Sequence, residues 1–136
     1  MKKRINLLII FAAMLIISAS CVKKSNPPVA GIGGTATLVL HAQHHSLAWP
    51  IDTLVLYIKY NATEAPTNLK YDDSTTCVCA DSIVTCTFTN LKNGNYYVAN
   101  DHGYDSSRFT PLLTGAVNVT ITQQNATTTT NIPVSE

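Results

Sequence analysis

The stretch "FTNLKNGNYYV", Phe88 to Val98, decides the fold. Asn93-Gly94 interrupts two runs of β-forming residues, and this pair suits the positive φ of a tight turn. The spacing predicts a hairpin whose arms are strands at 83–89 and 95–101. Upstream, "IDTLVLYIKY" (Ile51 to Tyr60) places Leu54, Leu56, Ile58 and Tyr60 on one face and Thr53, Val55, Tyr57 and Lys59 on the other. Downstream, "AVNVTIT" sets Val117, Val119 and Ile121 against Asn118, Thr120 and Thr122. "QQNA" then turns the chain and "TTTTNIPV" returns it with Ile132 and Val134 in phase. No segment after Thr35 carries a helical period. Seven strands are expected, at 35–43, 51–60, 75–80, 83–89, 95–101, 112–122 and 126–134. Short strands at this spacing predict an all-β chain, a single antiparallel β-sandwich of about seven strands over residues 35–136.

Phe88, Leu91, Gly94, Tyr96 and Val98, with the later "HGYD" (His102 to Asp105), resemble the hairpin of transthyretin-like, Cna-B-type and carboxypeptidase-regulatory-like β-sandwich domains. The match covers roughly the last half of the chain. It implies a structural or accessory module, not an enzyme, and names no ligand.

The chain begins differently. Met1-Lys2-Lys3-Arg4 is a basic head, and "LLIIFAAMLII" (Leu7 to Ile17) is an apolar core of signal-peptide length, short of the roughly 20 apolar residues of a membrane span. Ser18-Ala19-Ser20-Cys21 resembles the lipobox of bacterial lipoproteins. The resemblance implies that residues 1–20 are removed, that Cys21 is lipidated, and that the chain partners a membrane through that anchor. Val22 in place of Asp implies the outer membrane, and "VKKSN" lacks the acidic run that marks surface export, so the periplasmic face is expected. Residues 21–34, rich in Pro and Gly, read as a flexible linker.

Loss of Lys2, Lys3 and Arg4 reduces nine basic residues to six, against eight acidic. A near-neutral mature chain has no basic stripe for nucleic acid.

Three cysteines follow in "CVCADSIVTC" (Cys77 to Cys86). A two-residue turn at Asp81-Ser82 would set Ala80 against Ile83, Cys79 against Val84 and Cys77 against Cys86. All would share the inner face with Phe88. A disulfide between Cys77 and Cys86, inert buried thiols, and a soft-metal chelate through Cys-x-Cys all fit this spacing, and either the disulfide or the chelate leaves one thiol over.

"HAQHHSLAWP" (His41 to Pro50) holds three of the four histidines. On one strand His41 and His45 would stand roughly 13 Å apart with His44 facing away, which cannot close on one ion. A shared site needs the chain to leave strand geometry after Gln43. In a meander the loops at 44–50, 81–82 and 102–107 fall at one end, so His44, His45, His102, Asp101 and Asp105 would converge near Trp49 and Tyr104. Imidazole and carboxylate suit zinc or another transition ion. The plainer reading is a set of solvated polar loop residues. His41 is expected to be a half-buried strand residue, and Asp72-Asp73 an Asx-type turn at the opposite end.

The chain contains no GxSxG, HExxH or phosphate-binding glycine loop. These features point to a membrane-anchored, non-enzymatic structural or binding accessory of the bacterial envelope, with an envelope protein or a glycan as its further partner. The alternative is a zinc-type metal-binding lipoprotein.

Overall fold

The computed structural model describes residues 28–44, 53–100, 103–104 and 114–135. Alternation of apolar and polar side chains builds nine strands among them: β1 (Ile32–His44), β2 (Thr53–Tyr60), β3 (Asp73–Thr76), β4 (Val78–Ala80), β5 (Ile83–Leu91), β6 (Gly94–Asn100), β7 (Gly103–Tyr104), β8 (Gly115–Ile121) and β9 (Thr127–Val134). One sheet has the order β4-β5-β1-β9 and the other β3-β2-β6-β8, with β7 against the start of β2. The long strands of each sheet turn alternate residues inward. Leu38, Leu40, Phe88, Cys86 and Ile132 from the first sheet meet Leu56, Ile58, Tyr96, Val98 and Ile121 from the second in one buried core.

The all-β sandwich expected from the sequence is present, with two differences in its strands. The segment read as one strand, 75–80, is two. β3 pairs with β2, the Cys77 N–H donates to the Leu54 carbonyl at 2.9 Å, and from Val78 the chain pairs with β5 in the other sheet. Seven expected strands therefore become eight, plus the two-residue β7. Second, the sandwich is mostly antiparallel rather than wholly so, because β9 runs parallel to β1. The turn before β9 does not fold it back on β8. Gln124 accepts from the Thr35 N–H at 2.7 Å and donates to Leu91 and Asn93, the Asn125 N–H donates to the Thr35 hydroxyl, and the Thr37 N–H donates to the Ala126 carbonyl. These bonds start β9 beside the start of β1, and both then run the same way.

The Asp81-Ser82 turn has φ of 51° and 65°, the left-handed pair of a tight hairpin, with Cys79 opposite Val84 and Ala80 opposite Ile83. The second hairpin is built differently from the sequence expectation. Its loop is Lys92-Asn93, and the positive φ values fall on Asn90 (59°) and Gly94 (146°), not on Asn93. Gly94 is also required by space, since a Cβ there would lie 2.7 Å from Ala30.

Cys77 and Cys86 form a disulfide with Cα atoms 4.3 Å apart. Cys79 is free and exposed, contrary to the expectation that it faces the core. β4 is an edge strand with all three residues exposed.

Tyr96, fully buried, fastens the entry of the chain. Its hydroxyl donates to the Lys92 carbonyl at 2.7 Å, has the Gly31 carbonyl at 3.3 Å, and accepts from the Gly31 N–H at 3.1 Å. Asn61 holds Ala30 through both its amide N–H and carbonyl, so the sandwich recruits residues just before Thr35.

Two stability changes follow. Cys77→Ser with Cys86→Ala releases a nine-residue separation, and the denaturant midpoint should fall by an amount worth about 2–3 kcal/mol. Tyr96→Phe leaves the Gly31 N–H without its acceptor and should cost about 1–3 kcal/mol in the same titration.

Candidate functional site

The outer face of the second sheet carries an unusual set of side chains. β2 contributes Tyr57 and Lys59, β6 contributes Tyr97 and Ala99, and β8 contributes Ala116 and Asn118, with Tyr57 opposite Ala99 and Lys59 opposite Tyr97. The segment from Asn61 to Asp72 then returns along the sheet edge. Leu69 adopts φ 52° with its N–H bonded to the Pro66 carbonyl, and the Lys70 N–H donates to the Asn68 side chain. This local turn brings Tyr71 onto Tyr57, with ring centroids 5.5 Å apart and planes tilted by 38°.

Asp72 fixes the segment in place. Its Oδ1 accepts from Lys59 Nζ at 2.8 Å, its Oδ2 accepts from the Tyr60 N–H at 2.7 Å, and its own N–H donates to the Ile58 carbonyl at 2.9 Å. Desolvation would raise the Asp72 pKa, but the bonds from Lys59 and the Tyr60 N–H outweigh it and hold the carboxyl below its ordinary 3.8. Burial, then the charges of Asp73 and Asp72, push the neighbouring Tyr60 hydroxyl up to about 12. The next residue, Asp73, uses Oδ1 to accept the Ser74 N–H at 2.8 Å.

A hollow of about 390 Å³ lies between Tyr57, Leu69, Tyr71, Asp72, Asp73 and Ser74. Leu69 forms an apolar lip, 66% exposed. A second hollow of about 470 Å³ adjoins it. Tyr71 borders both, Tyr97 is its other wall, and Ala99 and Ala116 help line it, where the lack of longer side chains leaves room. The arrangement offers flat aromatic surface beside oxygen acceptors, a combination that binds an amphipathic ligand with donor groups.

The sequence-derived candidates fall elsewhere. His44 ends β1 with its backbone opposite Val134. Its side chain lies outside the described residues, as do His45, Asp101, His102, Asp105, Trp49 and the lipobox Cys21. The strand ends do show where those segments attach. His44 and Val134, Asn100 and Gly115, the start of β2, and the 81–82 turn beyond the Ala42–Val84 pair all lie at one end of the sandwich. Among the described residues no three His, Cys, Asp or Glu side chains gather as a metal site. His41 is half-buried on the outer face of the first sheet, with Nδ1 3.2 Å from the Thr85 hydroxyl.

Sequence reasoning missed the tyrosines. Tyr57 was placed correctly on the polar face of its strand, and a large aromatic there was the available signal. Tyr71 gave none, since its partner is reached only through the turn at Leu69.

Compared with known proteins, the chain matches no family model, no curated protein and no solved structure.

A group whose folded pKa is depressed adds stability above its unfolded pKa and loses it as pH falls through the folded value. The stability gap between the wild type and Asp72→Asn should therefore be widest near neutral pH and should narrow as pH falls below about 4. Thermal midpoints across that range measure it. A gap independent of pH would mean the Lys59–Asp72 pair adds nothing through its charge.

Proposed function

We propose that this chain is an exported, membrane-anchored, non-enzymatic binding module of the bacterial envelope. Its lipid anchor is on Cys21 and its sandwich is held at the periplasmic face of the outer membrane. The observation that carries this reading is the Cys77–Cys86 disulfide, a bond that persists in oxidising compartments and not in the cytosol. It agrees with the basic head, the apolar core and the Ser-Ala-Ser-Cys sequence at the start of the chain. The hairpin resemblance to transthyretin-like and Cna-B-type modules supports an accessory role of the same kind. The tyrosine-lined hollows supply the binding surface.

One observation favours a second reading, a zinc-type site formed by His44, His45, His102, Asp101 and Asp105. The strand ends that carry these segments lie at one end of the sandwich, as such a site requires.

Two measurements test these readings. Cys21→Ser should move the protein from the membrane to the soluble fraction, because acyl chains contribute about 0.8 kcal/mol per buried CH2 and the apolar run before Cys21 is too short to span. Continued retention of the variant in the membrane defeats the lipoprotein reading. Zinc titration of the untagged protein should, on the second reading, show saturable binding that weakens below about pH 6 as imidazoles protonate. His44→Ala and His102→Ala should each reduce it, while His41→Ala leaves it unchanged. Absence of saturable binding at micromolar zinc removes the metal site alone.

A further inference from the structure

We infer that the end of the sandwich where the chain enters, marked by Val29, Ile32 and Lys92, rests on the surface of the lipid bilayer. The inference rests on the lipoprotein reading and adds an orientation to it: the domain stands on one end and does not swing free on its anchor.

Reach selects the end. Cys21 lies seven residues before Pro28, and such a tether spans at most about 25 Å when fully extended. β1 alone runs 13 residues from Ile32 to His44, about 40 Å. Two other exposed apolar residues, Val78 and Ile83, belong to the hairpin at the far end. A chain anchored at Cys21 cannot set that end on the membrane, because its tether is shorter than the sandwich is long. On the sides, the first sheet presents exposed Thr87, Thr129 and Asn131. The second offers Leu69, which shares its hollow with Asp72 and Asp73. Neither side suits anionic headgroups.

The entry end has the side chains for the contact. Val29 is 68% exposed and Ile32 61%. Both flank a fixed stretch of backbone: the Ala30 N–H donates to Asn61 at 2.7 Å, the Gly31 N–H to the Tyr96 hydroxyl at 3.1 Å, and the Lys92 N–H to the Gly31 carbonyl at 2.8 Å. Little backbone freedom is therefore lost when the two side chains enter the headgroup layer. Lys92 is exposed and runs past Gly33, where a Cβ would lie 3.5 Å from its Cε and 3.9 Å from its Nζ. A lysine so placed keeps its stem on apolar surface and turns its ammonium to lipid phosphate. The segments that build this end, 28–36, 89–96 and 120–127, contain no Asp or Glu, and Lys23 and Lys24 precede them in the tether.

Two aliphatic side chains and a lysine bind a bilayer weakly on their own. A short tether makes the contact intramolecular, at an effective concentration of about millimolar order, so a weak contact is populated. The strand ends at His44, Asn100 and Gly115 then face away from the membrane.

The test uses the mature lipoprotein, purified from membranes and placed in nanodiscs of phosphatidylethanolamine with about a quarter anionic phosphatidylglycerol. A lipid carrying gadolinium on its headgroup is then added, and amide signals are followed by NMR. Ile32, Gly33, Lys92 and Asn93 should lose their signals, while Ala80 and Ile83 keep theirs. Val29→Ser combined with Ile32→Ser, both at exposed positions, should preserve the thermal transition and abolish the contrast between the two ends. Equal loss at both ends of the wild type overturns the inference, as does a contrast that survives the double variant. A dimer of the Cys21→Ser form that the double variant dissolves also overturns it, because a second copy then covers the patch. If Cys21→Ser stays in the membrane fraction, the lipoprotein reading and this inference fall together. If the anchor is confirmed and the two ends relax alike, the inference alone falls.

Discussion

The sandwich depends on what happens at Cys77. Within one residue the chain passes from pairing with β2 to pairing with β5, and so from one sheet to the other. Such a corner is a weak point, because the backbone leaves one ladder before it has joined the next. The Cys77–Cys86 bond closes it covalently: Cys77 is still hydrogen-bonded to β2, and Cys86 lies fully buried in β5 opposite Leu40. A domain of about 100 residues has a modest core, so a cross-link at the sheet junction carries weight that packing alone supplies in larger proteins. The opposite end is closed without covalent chemistry, by the Tyr96 hydroxyl on Gly31 and Lys92 and by Gln124 on Thr35, Leu91 and Asn93.

Strand identity was legible because it is local. Leu54, Leu56 and Ile58 alternate with Val55, Tyr57 and Lys59, and the first three are buried while the others are half-buried. The Asp81-Ser82 turn was legible for the same reason, since its length alone fixes the register of the hairpin. Which sheet a strand joins is not local. The division of 75–80 at Cys77 is set by Leu54 and Thr85, residues far apart in sequence. The parallel course of β9 is set by bonds between Gln124 and Thr35, 89 positions away. No periodicity records such choices, because a strand with one apolar face fits equally well into either sheet.

The candidate site was less legible than the fold, and the reason is again distance. Histidines attract attention because imidazole has distinctive chemistry, yet His41 spends its ring on Thr85 in the surface of the first sheet. Tyrosine is ambiguous in sequence. Tyr96 and Tyr57 both sit in alternating strands, but one is wholly inside with its hydroxyl bonded and the other stands on the solvent side. Only phase within the strand separates them. Pairing of Tyr57 with Tyr71 adds a step that phase does not contain, because Leu69 must adopt a left-handed backbone for the second ring to arrive.

Rigidity makes this face suited to recognition. Tyr57 lies in β2, an interior strand paired on both sides, and its neighbours Leu56 and Ile58 are fully buried on the inner face. Its position is therefore dictated by the core. Tyr71 belongs to a connecting segment, which would ordinarily cost ordering entropy on binding. Here the next residue removes that freedom, because Asp72 makes bonds to Lys59, Tyr60 and Ile58 and each of these also sits on β2. Both rings are thus referenced to the same strand. A ligand meets a surface already in place, and the ion pair that holds it is only partly exposed, so water and salt screen it incompletely.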